Sequence, residues 1–170
     1  MSDGWPDPIG EMIRNFECSD RDQVATLIGR AYGRSYEPWL IRALRENGDV
    51  AAEFVLEQDG AVVGCICFAA HPAPVGWWSL CAVAVPAALQ GNGRGSALVR
   101  YGLEFARSRG VPAITVLGPS GFYCRFGFTR AAARNLTTPF SDENTLLYPI
   151  QPDTAETIGE LRYPPAFSRL

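Results

Sequence analysis

The sequence predicts one α/β domain of the α+β kind, in which a mixed, mostly antiparallel sheet carries helices on both faces. Three observations lead there. Strand-like and helix-like runs alternate in the order β-α-α-β-β-β-α-β-α-β-β, which mixes hairpins with crossovers. Asp59-Gly60 joins two apolar runs, a strong two-residue hairpin signal. The 170 residues, 47% hydrophobic and 19% charged, suffice for one core without disulfides or metal.

In chain order, Met12 to Cys18 predicts a short strand. In SDRDQVATLIGRAY, apolar residues recur at Val24, Leu27, Ile28 and Ala31, the spacing of a helix face, with Asp20 and Gln23 as a capping box. A second helix starts near Pro38, whose missing N–H costs nothing in a first turn, and stops at Gly48. VAAEFVLEQ and AVVGCICFAA are the hairpin strands, and WSLCAVAV is a strand ending at Pro86. A helix from Arg94 to Ser108 buries Leu98, Tyr101, Phe105 and Ala106 and ends at Gly110. AITVLG reads as a buried strand, GPSGFYCRF as a turn or short helix, and GFTRAAARN and NTLLYPI as two further strands. Residues 151 to 170 form a tail in which Leu161, Tyr163 and Phe167 pack on the body.

Composition narrows function mainly by exclusion. A net charge of −3 with scattered basic residues argues against a nucleic-acid surface. The apolar run near Ala61 to Ala70 is too short for a bilayer, and MSDGWPDPIGEMIR lacks the pattern of a secretory signal, so a cytoplasmic location is expected. Five cysteines without a CxxC pair or histidine cluster argue against a disulfide framework and a zinc site, and read mostly as small core residues, Cys124 included.

The segment VPAALQGNGRGSAL, residues 85 to 98, carries the strongest functional signal. A P-loop would need a lysine followed by serine or threonine, and Arg94 precedes Gly95 here. A dinucleotide fingerprint would need G-x-G-x-x-G and a later acid, and neither is present. What fits is a strand, a turn with outward N–H groups, and a helix whose N-terminus lies under a pyrophosphate. Bare backbone at Gly91, Gly93 and Gly95 lets phosphate oxygens approach the amides, and Arg94 adds charge at the rim.

This segment resembles the acetyl-CoA-binding motif of the GNAT superfamily of N-acetyltransferases, and FYCRFGF, residues 122 to 128, is similar to that family's late tyrosine signature. LGPSGFYCRFGF together with RYPPAF is similar to a bacterial branch of N-acetyltransferases, and the resemblance runs from the first strand to Phe167. It implies central strands that splay apart, with Val83, Ala84 and Val85 along the pantetheine arm. Gln90, Gly91, Asn92, Gly93, Arg94, Gly95 and Ser96 would hold the pyrophosphate of acetyl-CoA, with no metal. Tyr123 would face the departing thiolate. The acceptor implied is a primary amine on a small molecule or protein, without nucleic acid or membrane as partner; a homodimer is allowed. Relatives often place an asparagine ahead of the tyrosine; TVLGPSG has none.

The base that prepares the amine stays open among Glu53, Glu57, His71 and water. The blander reading of the first three is a pair of solvated strand-face carboxylates and a histidine satisfied at a loop edge. Many relatives carry a glutamate on the strand before the motif, and Trp78 to Val85 has none. A catalytically idle acyl-CoA-binding module is therefore the rival reading.

Overall fold

A computed structural model describes residues 11–169; the leader reading rests largely on residues 1–10, outside them. Along the chain run β1 (Glu11–Asn15), α1 (Arg21–Tyr32), α2 (Tyr36–Glu46), β2 (Val50–Gln58), β3 (Ala61–Ala70), β4 (Trp78–Ala84) and α3 (Arg94–Ser108). After these come β5 (Ala113–Leu117), α4 (Ser120–Tyr123), α5 (Arg130–Ala133), β6 (Leu136–Thr137), β7 (Thr145–Pro149) and β8 (Gly159–Glu160).

Six strands form one sheet in the order β1-β2-β3-β4-β5-β7, every neighbouring pair antiparallel except β4 and β5. Its faces are covered by different helices. On one side α3 sets Leu98, Val99, Leu103 and Ala106 against Phe54, Phe68, Leu80 and Ile114. On the other, Val24 and Ile28 of α1 and Leu40, Ile41 and Leu44 of α2 cover Val55, Cys65, Cys67 and Ala82, and Phe167 of the tail joins them. Among the described residues no helix is long and apolar enough to cross a membrane.

The feature that prepares a site is in the middle of the sheet. Cys67 pairs with Ala82 but Phe68 pairs with Leu80, so Cys81 is an extra residue on β4. Such a bulge bends its strand and increases local twist. The parallel pairing of β4 with β5 stops at Leu80 opposite Val116. Beyond it the pairing of the two strands does not continue, and Val83, Ala84 and Val85 line a cleft.

Several boundaries differ from the sequence reading for local reasons. GFTRAAARN is not a strand: Thr129 makes a single bridge to Leu147, and its Oγ1 accepts from the Ala132 N–H at 3.1 Å, starting the helix α5 on an alanine run of high helix propensity. The first strand ends at Asn15 because the Asp20 carboxylate turns the chain, accepting from the Glu17 N–H (2.8 Å) and from the Arg14 guanidinium (2.8 and 2.9 Å). That engages Asp20 elsewhere than in a box with Gln23, whose Oε1 accepts from the Val62 N–H at 3.1 Å. The second helix begins at Tyr36, which leaves Pro38 in its first turn. Tyr101 is 40% exposed and lies edge-on to Phe54 instead of being buried. Cys65 and Cys67 are core residues, whereas Cys18 and Cys124 are exposed, so Cys124 is not a packing residue.

Candidate active site

The cleft opened by the splay has a volume of about 510 Å³. Its floor is Val83, Ala84 and Val85; its mouth is Gln90, Gly91, Gly93, Gly95 and Ser96; its far wall is Pro119, Phe122, Tyr123 and Arg125. Ala31 and Tyr32, at the end of α1, close the near side.

The mouth is built by backbone. Gly91 and Gly93 adopt left-handed φ values of 84° and 79°, which β-carbon-bearing residues rarely hold. Their turn ends in α3, whose first helical bond runs from the Ala97 N–H to the Gly93 carbonyl at 2.9 Å. The amides of Arg94, Gly95 and Ser96 precede that bond, and the positive end of the helix dipole lies there. Gln90 is fixed by its own side chain, which donates to the Val85 carbonyl at 3.1 Å. Asn92 is exposed between the two left-handed glycines. Arg94 is not free at the rim: its guanidinium binds Glu11 Oε1, with Nε at 2.8 Å, and its side chain is 12% exposed.

On the floor, the Val83 N–H points away from β3 and donates to the Tyr32 hydroxyl at 3.4 Å, a long and weak bond. That amide is one an acyl oxygen could take. Tyr123 is 7% exposed, and burial pushes its phenol well above the ordinary tyrosine range, with Tyr32 adding a smaller push. The hydroxyl therefore stays protonated and acts as a donor. The ring needs Gly118: a β-carbon there would lie 2.8 Å from Tyr123 Cε2. Phe122 and Phe128 pack edge-on against it, with ring centroids 5.0 and 5.8 Å away. Ala31, Tyr32, Pro119, Phe122 and Arg125 also line this cleft and were not legible as cofactor-side residues. A signal existed for Phe122 and Arg125, which flank the tyrosine of the late signature.

The three side-chain candidates for a base lie outside the cleft. Glu53 is buried, not solvated, and both of its oxygens are held by Arg45 at 2.9 and 2.6 Å. Glu57 is partly covered and accepts from Arg14 Nε at 3.3 Å. His71 is 4% exposed, with Nδ1 at 2.8 Å from the Arg162 carbonyl and Nε2 at 2.7 Å from Thr115 Oγ1. Since a carbonyl can only accept, Nδ1 carries the proton and Nε2 accepts from threonine. His71 thus ties the tail to β5.

This arrangement gives a pH prediction. Burial, opposed by the Arg162 carbonyl, pushes the imidazole from 6.5 down to about 4. Between those values the unfolded chain binds a proton that the folded chain refuses. Stability is complete above the upper value and falls with pH through the window, by about 2 kcal/mol from pH 7 to pH 5. Urea unfolding at the two pH values measures this, and His71→Gln is expected to flatten the difference.

The Acetyltransferase (GNAT) family matches residues 20–128, which include α1, the splayed β4, the glycine turn, α3 and Tyr123. The chain belongs to the GNAT acetyltransferase family. Acetyl transfer is the reaction class that goes with it. Over 140 residues this GNAT chain is 34% identical to mycothiol acetyltransferase of Thermomonospora curvata, an alignment covering 74% of the chain and 46% of that relative. The match thus spans less than half the relative's length. It is 30% identical over 121 residues to the uncharacterized N-acetyltransferase YhbS of Escherichia coli, covering 69% of this chain and 72% of YhbS. The crystal structure of Escherichia coli YhbS in complex with CoA superposes with a TM-score of 0.88 at 26% identity, covering 97% of this chain and 96% of that one. A GNAT acetyltransferase from Brucella melitensis in complex with acetyl-CoA gives 0.77 at 29% identity, covering 92% and 97%.

Proposed function

We propose that this chain transfers the acetyl group of acetyl-CoA directly to a primary amine of a small molecule or protein. One observation carries the reading: the gap between β4 and β5, into which the Val83 amide points, continues into the amide-rich mouth of α3. A thioester arm and its diphosphate need those two features in that order. The complexes of the two neighbours with CoA and acetyl-CoA support the same ligand here.

Acetyl-CoA supplies an acetyl carbon activated as a thioester, which the amine nitrogen attacks as the sulfur leaves. The protein's part is largely electrostatic. Gly95 and Ser96, with the turn from Gln90 to Gly93, bind the diphosphate through main-chain N–H groups. Arg94 serves by holding the start of α3 to β1 through Glu11. Val83 and Val85 border the arm, and the Val83 N–H polarises the acyl oxygen as charge develops. Tyr123 donates to the departing sulfur. Its raised phenol makes full proton transfer unfavourable, so its contribution is a hydrogen bond to developing charge. Removal of the amine proton falls to water, since among the described residues lining the cleft none is a carboxylate or histidine.

That last observation favours the second reading, an acyl-CoA-binding module without turnover. Both are decided by incubating the protein with acetyl-CoA and a panel of primary amines, following free CoA thiol and the acetylated amine by mass spectrometry. The enzyme reading expects amine-dependent release matched by product. Binding of acetyl-CoA with no amine-dependent release would favour the module.

A further inference from the structure

Two exposed arginines stand beside the mouth of the cleft without an acid to pair with. Arg125 lines the far wall, and Arg100 lies on α3 one turn past Ser96, on the same helix face. Among the described residues neither guanidinium has a carboxylate within ion-pair distance, whereas Arg94, in the first turn of α3, is locked to Glu11.

Aromatic rings fix where these two charges stand. Phe122 packs beside the start of α3, where a β-carbon on Gly95 would lie 3.9 Å from its Cζ. The guanidinium carbon of Arg125 is 4.7 Å from the centre of that ring and 5.6 Å from the centre of Phe126, and that of Arg100 reaches Phe126 at 5.4 Å. Phe126 is thus shared by both cations. Arg125 Nε donates to the Phe122 carbonyl at 3.3 Å, which leaves the two terminal nitrogens for an anion. Like charges gathered on one ring repel, and no acid among the described residues offsets that. A phosphate monoester, nearly doubly charged at neutral pH, would offset it and would take bidentate hydrogen bonds from the planar guanidinium groups.

We propose that Arg125 and Arg100, held on Phe126, seat the 3′-phosphate of coenzyme A, so that the chain selects acyl-CoA over thioesters carried on phosphopantetheine alone. The proposal rests on the acetyl-CoA reading above. With the diphosphate at the first turn of α3, the 3′-phosphate lies across one ribose from it, a reach comparable to one helix turn of about 5.4 Å. That is the interval from Ser96 to Arg100. The amides of the mouth meet only the diphosphate and cannot tell coenzyme A from its 3′-dephospho form.

The mouth also borders a second cavity, of about 690 Å³, which begins at Val85 and Gln90 and contains Arg30. That cavity includes Asp22, which repels a phosphate, and no aromatic ring to hold the arginine in place. The Arg125 side therefore suits the monoester better.

Titration calorimetry with CoA and 3′-dephospho-CoA tests this on wild type, on Arg30→Ala and on the double variant Arg100→Ala with Arg125→Ala. Wild type is expected to bind CoA at least tenfold more tightly than dephospho-CoA. In the double variant the ratio is expected to fall to within about twofold of unity, because CoA weakens while dephospho-CoA keeps its affinity. Arg30→Ala is expected to keep the wild-type ratio. A wild-type ratio near one, a ratio that survives in the double variant, or a ratio lost in Arg30→Ala overturns the proposal. Equal weakening of both ligands in the double variant also overturns it, since the arginines would then serve the diphosphate. The wild-type ratio needs no variant, so the test survives a failure of the double variant to fold. Binding of neither ligand by wild type removes the acetyl-CoA reading and this proposal with it, while binding of both at equal affinity removes the proposal alone.

Discussion

Gly93→Asp is expected to raise the dissociation constant for acetyl-CoA by about 100-fold or more while leaving the protein folded. Gly93 is the residue from which α3 starts, at φ 79°. Aspartate tolerates left-handed backbone better than most residues, and a carboxylate at a helix start is favourable to the helix. The fold should therefore lose about 1 kcal/mol at most. The ligand fares differently, because the new carboxylate takes up the same first-turn amides and sets a negative charge against a diphosphate. Losing one charge-assisted hydrogen bond costs about 1.5–3 kcal/mol, and the repulsion adds to it. Calorimetry measures the affinity and thermal unfolding the stability. Gly93→Ala separates strain from charge and should weaken binding by less than about tenfold.

Tyr123→Phe is expected to lower kcat by about 10- to 100-fold with the acetyl-CoA dissociation constant nearly unchanged. A hydrogen bond from a neutral donor to a developing thiolate is worth about 1.5–3 kcal/mol, which sets that range. Phenylalanine keeps the ring over Gly118 and its edge contacts with Phe122 and Phe128, so cofactor packing is preserved. The separation of kcat from affinity is the diagnostic part. Equal losses in both would mean that the tyrosine builds the cleft without meeting the sulfur.

Much of this site was legible in the sequence because backbone chemistry leaves a strong imprint on residue choice. A glycine at 91 or 93 answers to a left-handed turn, and the following apolar helix announces itself by period. The hairpin at Asp59-Gly60 and the parallel crossover through α3 follow from equally local signals. What stayed hidden depends on contacts between distant residues. The partner of Arg94 is Glu11, and that of Glu53 is Arg45, so a residue read as rim charge and one read as a solvated carboxylate are both locked in ion pairs. The bulge at Cys81 has no signature in WSLCAVAV; it becomes visible through the register of β3 against β4. Thr129 could have been read as a helix start ahead of three alanines, but the strand-like flank GFT masked it. Ala31 reaches the cleft only because α1 packs against β3 and β4, an outcome of tertiary packing.

The claim on which all else rests is that bare main-chain amides at the start of α3, together with the gap between β4 and β5, hold acetyl-CoA. Titration of the purified chain with acetyl-CoA, beside Gly93→Asp, tests it most directly. The account predicts saturable heat at one site per chain for the wild type and its near-disappearance in the variant. No binding by the wild type, or equal binding by both proteins, would contradict it.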